Sequence, residues 1–267
     1  MKVYISVDIE GVAGINHWDE ATKTHATYPE FRALMTAEAI AACKGAIAAG
    51  ASEILLKDAH ESGRNILTED LPDCVRIIRG WSGHPASMIQ DLDDSFAAAM
   101  FIGYHSKAGS EGNPLAHTMR LSVDRILLNG TPVSEFVLHS YAAALHKVPV
   151  VLVSGDQGIC ADVKALNSHI GTVAVSQGIG RSTTSIAPRK SRQLIEAAAT
   201  AALRGNRDAC QLTLPSSFTL DILFNTPVNA YAASWYPGAT HIGNRTARFE
   251  TTSYFEVLRA IKFMLNA

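Results

Sequence analysis

The feature of this sequence that most constrains its fold is the alternation of short apolar runs with alanine-rich helical stretches. The apolar runs are KVYISVD, EILLKDA, VRIIRG, AAAMFIGYH and PVVLVSGD, and a helical stretch at residues 30–49, closed by Gly50, separates the first two. Such alternation is typical of β-α units that repeat around a parallel sheet. An Asn129-Gly130 dipeptide interrupts it and predicts a tight hairpin. The sequence therefore predicts an α/β fold with a largely parallel sheet flanked by helices.

The pattern changes in the last third of the chain. An alanine-rich helix is predicted at residues 188–203, followed by a strand-like FTLDILFN segment and a final helix at residues 255–265. No low-complexity linker separates the two parts, so we expect them to pack together. We therefore predict a main α/β domain over residues 1–185 and a smaller C-terminal α+β lobe over residues 186–267, packed against it.

The composition is that of a globular protein without a polyanionic partner. Apolar residues form 47% of the 267 residues and charged residues 18%, which is enough for a buried core and argues against disorder. The formal net charge of −2 comes without a run of lysine or arginine, so neither nucleic acid nor an anionic membrane is expected as a partner. A small or uncharged substrate fits this composition better.

The cysteines and the N-terminus predict a cytoplasmic protein. Cys43, Cys74, Cys160 and Cys210 are scattered, without a C-x-x-C pair that would bind a metal or form a redox centre. Reduced and mostly buried thiols are the expected arrangement. The chain enters a strand-like run at once rather than a signal peptide, and no apolar run reaches the roughly 18 residues that a membrane span needs.

Acidic and imidazole side chains follow three of the predicted strands. Asp8 and Glu10 lie at the end of the first strand, Asp58 and His60 at the end of the second, and His105 directly after the strand AAAMFIGY. Ligands of α/β sheets bind beyond the carboxyl ends of the strands, so these side chains are expected to converge. A D-x-E pair alone is equally typical of a solvated loop edge, and a lone histidine after a strand is more often a hydrogen-bonding group. Together, oxygen and imidazole ligands at neighbouring strand ends favour zinc, manganese or iron over calcium.

The motif at the end of the first strand resembles that of a known enzyme family. Ser6, Asp8, Glu10 and Gly11 form an S-x-D-x-E-G sequence similar to that of the DppA-type zinc D-aminopeptidases. The resemblance continues in the same order through KDAHESGRN, GYHSKAG, AHTM, PVSE, VSGD and IGRS. It covers most of residues 1–190 and extends more weakly into the C-terminal lobe. The main domain is therefore expected to be the metal-binding catalytic domain.

The resemblance also implies a set of site residues. Asp8 would bridge two zinc ions in each subunit, and the remaining ligands would be Glu10, His60, His105 and Glu135. His117, in PLAHTM, corresponds to the proposed catalytic histidine of the family. On spacing alone, Glu135 is more typical of an acid that stabilises the first turn of a helix, and His117 is as compatible with an ordinary loop histidine as with a catalytic one.

The function implied by the resemblance is hydrolysis of short peptides that begin with a D-amino acid, such as D-alanyl-D-alanine. Paired metal ions would activate a water molecule, and His117 would act as a general acid or base or as a nucleophile. The family assembles as rings, so a homo-oligomer, a decamer by resemblance, is the expected partner arrangement. Substrate chirality depends on the shape of the pocket, which no residue in the sequence reveals.

Other functions stay open at this stage. A dinuclear-metal amidase or esterase could act on an L-peptide or on a non-peptide amide. A non-catalytic assembly protein that retains the fold is less favoured, because every candidate ligand and His117 are present. Phosphoester hydrolysis is disfavoured, because the sequence has neither a glycine-rich phosphate cradle nor a dense set of arginine and lysine residues.

Two residues outside the ligand set are candidates for supporting roles. Asp58 could orient the His60 imidazole, because strand residues two apart share a face and metal-bound histidines usually donate their other nitrogen to an acceptor. A strand-end acid is an equally good interpretation of Asp58. Arg181, in the family-like IGRS segment, could bind a substrate carboxylate through two parallel hydrogen bonds.

The sequence also departs from the family pattern. Residues 15–28 are rich in histidine, threonine and tryptophan, Glu61 follows His60, and Ala116 stands beside His117 where the family has serine. These departures concern substrate preference rather than metal binding.

Overall fold

The larger of two sheets is mostly parallel and lies at the centre of the fold. Residues 1–266, which a computed structural model describes, form twelve strands: β1 (Lys2–Val7), β2 (Glu53–Asp58), β3 (Val75–Ile78), β4 (Ala98–Tyr104), β5 (Val123–Leu128), β6 (Thr131–Pro132), β7 (Val150–Asp156), β8 (Gly171–Ile179), β9 (Ser182–Ser185), β10 (Phe218–Phe224), β11 (Ala239–Gly243) and β12 (Thr246–Thr251). The larger sheet has the order β3-β2-β1-β4-β7-β8-β9, and within it β9 pairs antiparallel with β8 while the other neighbours are parallel. The predicted α/β fold class is confirmed.

Helices cover this sheet, which explains why its central strands are apolar throughout. The described residues form the helices α1 (Trp18–Ala21), α2 (Tyr28–Ala48), α3 (Glu135–Leu145), α4 (Gln157–Leu166), α5 (Pro188–Arg204), α6 (Pro227–Ala233) and α7 (Tyr254–Met264). Every residue of β4 and β7 is buried, as expected for parallel strands with both faces covered. Within residues 1–266, no helix combines the length and the apolar character that crossing a bilayer requires.

The smaller sheet is antiparallel and combines two distant parts of the chain. Its order is β11-β12-β10-β5-β6, so the hairpin of β5 and β6 joins strands that lie far downstream. Asn129 and Gly130 both have positive φ at the hairpin turn, as the dipeptide predicted. Helix α7 contacts α3, because the Tyr254 hydroxyl donates to the Leu138 carbonyl over 2.7 Å. The domain boundary near residue 185 stays a prediction, although α5, which lies beyond it, packs on α2.

The last residue of the S-x-D-x-E-G motif lies where β1 and β4 end side by side. The Gly11 amide donates to the Gly103 carbonyl over 2.9 Å. A Cβ atom added at Gly11 would overlap the Tyr104 carbonyl oxygen, which is rigid backbone. The close approach of the two strand ends, which brings the acids after β1 towards the residue after β4, therefore depends on glycine at this position.

We expect Gly11→Ala to lower the free energy of unfolding by about 3 kcal/mol, because the added methyl group forces two buried strand ends apart. Chemical denaturation with a far-UV circular dichroism signal would measure the change. Gly205→Ala is the matched control, since Gly205 has an ordinary negative φ and an added Cβ would lie 3.3 Å from the nearest atom. Equal stability of the two variants would contradict the argument from close approach.

Candidate metal centre

Four of the predicted site residues lie at the carboxyl edge of the larger sheet, beyond three neighbouring strands. Asp8 and Glu10 follow β1, His60 follows β2 and His105 follows β4. Because β1 lies between β2 and β4, the side chains meet at one place. Each of these residues is at most 6% exposed. The structure thus brings together four of the five residues that the strand pattern singled out.

Glu135 reaches the same place from the first turn of α3. Ser134 begins the helix, and its side chain accepts a hydrogen bond from the Val137 amide over 3.3 Å. The Glu135 carboxylate is turned towards the sheet edge, where its Oε1 atom accepts a hydrogen bond from the Met119 amide over 2.6 Å. The buried position of Glu135 therefore results from helix capping and from the loop before β5.

The acids and histidines form three groups of possible ligands: two share Asp8, and the third joins Glu10, His105 and His117. In the first group, His60 Nδ1 lies 3.2 Å from Asp8 Oδ1 and 3.1 Å from Glu10 Oε2. In the second, His105 Nε2 lies 3.7 Å from Asp8 Oδ2 and 3.6 Å from Glu135 Oε2. Within each group the possible ligand atoms lie within 4.8 Å of one another. Asp8 directs one carboxylate oxygen to each of the two groups that share it, which is the arrangement expected of a carboxylate between two cations.

In their neutral form, both histidines present a nitrogen lone pair to these groups. His60 Nε2 lies 2.8 Å from the Ala21 carbonyl oxygen, and His105 Nδ1 lies 2.9 Å from the Ser106 carbonyl oxygen. A carbonyl can only accept, so these outer nitrogens carry the proton and the inner nitrogens of the neutral rings are left as acceptors. His105 Nε2 and Glu10 Oε2 are buried without a hydrogen-bond partner among the described residues. Unpaired buried ligand atoms of this kind fit a bound transition metal.

The electrostatics of the cluster also favour a cation. Burial raises the pKa of Asp8 well above its usual value, and the negative charge of Glu10 raises it further. Burial would lower the pKa of His60 and of His105, but the surrounding carboxylates raise both well above the usual value. Burial opposes the ionisation of Glu135, yet positive charge on His105 holds its pKa at about 2. The carboxylates thus need nearby positive charge, which protonated imidazoles or metal ions can supply.

His117 lies at the rim of the cluster, outside the two groups that share Asp8 but within the third. Its Nε2 atom is 3.7 Å from Glu135 Oε1 and 4.0 Å from Glu10 Oε1, and its side chain is 14% exposed. The His117 ring stacks on His105 with centroids 4.4 Å apart, while Nδ1 lies 2.9 Å from the Leu115 carbonyl oxygen. Burial, followed by positive charge on His105, lowers the pKa of His117 below its usual value. His117 therefore lies next to both histidine and carboxylate groups of the cluster while its side chain keeps some contact with solvent.

Comparison with known proteins identifies the family. A family model described as D-aminopeptidase matches residues 1–263. The chain is similar to a D-aminopeptidase of Bacillus subtilis (strain 168), with 32% identity over 266 residues, which cover 99% of this chain and 96% of that protein. This chain belongs to the D-aminopeptidase family. The resemblance of the sequence motifs to that family is thereby confirmed.

The fold comparison agrees with membership of the D-aminopeptidase family. The chain is similar to a solved structure described as the Zn-dependent D-aminopeptidase DppA from Bacillus subtilis, a self-compartmentalizing protease. The TM-score is 0.94 and the identity 32%, and the match covers 100% of this chain and 97% of the other. The predicted enzyme class, a metallo-aminopeptidase, is confirmed.

One supporting role proposed from the sequence is wrong for this D-aminopeptidase-family chain. Asp58 does not contact the His60 imidazole: its carboxylate accepts hydrogen bonds from the Asn65 amide and side chain and from the Ile66 amide, over 2.5–2.8 Å. The expectation that residues two apart share a face does not apply here, because β2 ends at Asp58 and the chain then turns, with Glu61 at a φ of 41°. Asp58 instead holds the loop that carries His60, since the Asn65 side chain also donates to the His60 carbonyl.

The segment that departs from the D-aminopeptidase pattern, residues 15–28, lies over the site. It contributes the Ala21 carbonyl that orients His60, and Trp18 packs edge-on against His117 with centroids 5.4 Å apart. Glu61 lines the cavity into which the cluster opens, and its carbonyl accepts a hydrogen bond from the Trp81 indole over 2.7 Å. Residues of the segment and Glu61 thus lie beside the cluster, and their effect on substrate preference stays a prediction.

The cluster opens into a cavity of about 600 Å³, a volume typical of small-ligand sites. Side chains of α3 and α7 form part of its wall, so the C-terminal helix contributes to the site.

Sequence reasoning missed His139, which lines this cavity one helical turn after Glu135. The i, i+4 spacing could have indicated that the two residues share a helix face. Arg181 lies in the exposed turn between β8 and β9 and is not among the lining residues.

Proposed function

We propose that this chain is a zinc-dependent aminopeptidase that hydrolyses short peptides with an N-terminal D-amino acid, of the D-alanyl-D-alanine type. The observation that carries the proposal is the division of the Asp8 carboxylate between two buried ligand groups. The family supports the reaction, since a relative with 32% identity is a D-aminopeptidase and a solved neighbour is described as Zn-dependent.

Two zinc ions per subunit are the cofactors that this site would hold. Glu10 and His60 would bind one ion, His105 and Glu135 the other, and Asp8 would bridge them. The fit is supported by the unpaired inner atoms of Glu10 and His105 and by the mixed oxygen and nitrogen donors, which suit zinc. Bound zinc supplies polarisation of the scissile carbonyl and activation of a water molecule.

The residues of the chain contribute proton transfer and positioning. His117 is proposed as the general acid and base: with its Nδ1 proton directed to the Leu115 carbonyl, Nε2 is free to take up a proton and deliver it to the leaving amine. Trp18 limits the movement of the His117 ring by packing against its edge. The burial of the acids around Asp8 keeps bulk water away from the reacting groups, which strengthens their electrostatic effect.

The proposed assembly is a homo-oligomeric ring, a decamer by resemblance, with a small peptide as the substrate. It rests on the solved neighbour, which is described as self-compartmentalizing. The cytoplasm stays the proposed compartment, in keeping with the free thiols of Cys43, Cys74, Cys160 and Cys210.

We expect the purified protein to carry about two zinc ions per chain and to cleave D-alanyl-D-alanine much faster than L-alanyl-L-alanine. Chelation should remove both the zinc and the hydrolysis, and added zinc should restore both, because the proposed chemistry needs the metal pair. Elemental analysis and an assay of released alanine measure the two quantities on the same samples.

The same experiment separates the alternatives. Chelator-sensitive cleavage without preference for the D-dipeptide would favour a dinuclear-metal amidase or esterase with another substrate. Bound zinc without hydrolysis of any amide or ester would favour an assembly protein that retains the fold. Hydrolysis of the D-dipeptide that survives complete removal of metal would contradict the proposed mechanism.

A further inference from the structure

The cavity is lined by groups of opposite charge. The carboxylates of Asp8, Glu10, Glu61 and Glu135 line it together with the cationic side chains of Arg120 and Lys262. The wall is otherwise largely apolar, with Met88, Leu138, Leu258, Ile261 and Leu265 among its residues. A ligand that fills this space therefore meets acidic groups, an apolar wall and a pair of cationic groups. Neither the family resemblance nor the proposed zinc site gives these cations a role.

Arg120 is tied to the metal centre through the backbone. The residue before it, Met119, donates its amide hydrogen to the Glu135 carboxylate over 2.6 Å. Arg120 thus begins one residue away from the acidic cluster, about 3.8 Å further along the chain. The backbone of Met119 has a positive φ of 66°, which turns the chain sharply just before Arg120.

The guanidinium group of Arg120 also contacts the chain just after α7. Its Nη2 atom donates to Asn266 Oδ1 over 2.8 Å, and the Asn266 side chain in turn donates to the Lys262 carbonyl over 2.6 Å. A guanidinium has five N–H donors, so one hydrogen bond to Asn266 leaves the others available. The contact places the charge of Arg120 beside the last turn of α7, which carries Lys262.

We propose that Arg120, assisted by Lys262, binds the C-terminal carboxylate of the peptide substrate, so that the site selects short peptides with a free acid end. The inference rests on the proposed aminopeptidase function and adds the identity of the group at the far end of the substrate. An arginine fork matches the geometry of a carboxylate and forms charge-assisted hydrogen bonds with it. Arg120 is a binding residue in this proposal and takes no part in bond cleavage.

The length of a dipeptide or tripeptide suits this arrangement. Each residue of an extended chain spans about 3.3–3.6 Å, so the terminal carboxylate of such a peptide lies one or two residues beyond the scissile carbonyl. Arg120 follows the residue whose amide contacts Glu135, so its long side chain starts close to the cluster and can extend over a comparable length. A longer peptide would carry its carboxylate past the cationic pair and lose the contact.

The test compares a free acid with its amide. D-alanyl-D-alanine and D-alanyl-D-alaninamide would be assayed with the zinc-loaded wild type and with Arg120→Gln. The wild type should prefer the free acid, and Arg120→Gln should raise KM for the acid by roughly 10- to 100-fold while kcat stays close to the wild-type value. The amide, which has no carboxylate to bind, should be hydrolysed with nearly the same KM by both proteins. Lys262→Gln should also raise KM for the acid, by a smaller factor.

Arg76→Gln is the matched control, because the Arg76 side chain is 79% exposed on the outer strand β3 and does not line the cavity. It should leave the preference for the free acid unchanged. The proposal would be overturned if the wild type had the same KM for acid and amide, or if Arg120→Gln raised KM for both substrates equally.

A binding measurement separates this inference from the proposed function. Calorimetric titration of the metal-free protein with the acid and with the amide should show tighter binding of the acid to the wild type and loss of that preference in Arg120→Gln. The proposed function fails if the zinc-loaded wild type hydrolyses neither peptide, and the calorimetry still decides the role of Arg120. Absence of any preference for the acid in this titration would overturn the inference.

Discussion

Replacing Asp8 with asparagine should lower the rate of D-dipeptide hydrolysis by at least about 1,000-fold and should reduce the bound zinc at both positions. The physical reason is that Asp8 alone supplies an oxygen to both ligand groups, with Oδ1 towards His60 and Oδ2 towards His105. Asparagine keeps the shape of the side chain but replaces one oxygen by an NH₂ group that cannot act as a ligand. Zinc content and hydrolysis should therefore fall together.

The matched control for this variant is Asp73→Asn, at an exposed position before β3. It changes the net charge by the same amount and should keep both the zinc and the activity. Circular dichroism of Asp8→Asn should stay close to that of the wild type, since asparagine can retain the hydrogen bond that the Ile9 amide donates to Asp8. An Asp8→Asn protein with full zinc and full activity would remove Asp8 from the centre.

Replacing His117 with glutamine should lower kcat by roughly 100- to 10,000-fold, the usual contribution of a general acid or base, while the zinc content stays unchanged. This expectation follows from the position of His117 at the rim, where its Nε2 atom faces the cavity and stays 3.7 Å or more from the nearest carboxylates. Measuring kcat and zinc on the same preparation distinguishes proton transfer from metal binding. Asp8→Asn should thus lose both bound zinc and activity, whereas His117→Gln should lose activity alone.

His146→Gln is the control for the histidine variant, because His146 is exposed at the end of α3. A loss of zinc in His117→Gln would show that His117 is a ligand, which the grouping of Glu10, His105 and His117 within 4.8 Å makes geometrically feasible. An unchanged kcat would exclude it from proton transfer and leave it a wall residue beside Trp18.

The part of the site that follows strand ends could be predicted from the sequence, because the topology of a parallel sheet determines where those residues meet. Asp8, His60 and His105 follow neighbouring strands, and the structure brings them together at the same edge. Glu135 could not be predicted in this way: it reaches the cluster through the cap at Ser134 and through the amide of a distant loop. Its assignment depended on the family resemblance.

The prediction was weakest wherever a contact joins distant parts of the chain. Pairing of Leu128 with Leu220 builds the second sheet from two separate segments, and nothing in the local pattern of either segment indicates its partner. The role predicted for Asp58 was wrong because the alternation of side chains along a strand was assumed to continue past the end of β2 into a turn. The role proposed for Arg120 depends on its contact with Asn266, which is 146 positions away in sequence.

The hydrogen bond between His60 and residue 21 has an evolutionary consequence. The group that orients the imidazole is a main-chain carbonyl, which every amino acid at position 21 would provide. Side chains in the covering segment can therefore vary without altering the ligand itself, provided that the path of the backbone is kept. Relatives could acquire new substrate preferences by changing this segment while the orientation of His60 is inherited intact.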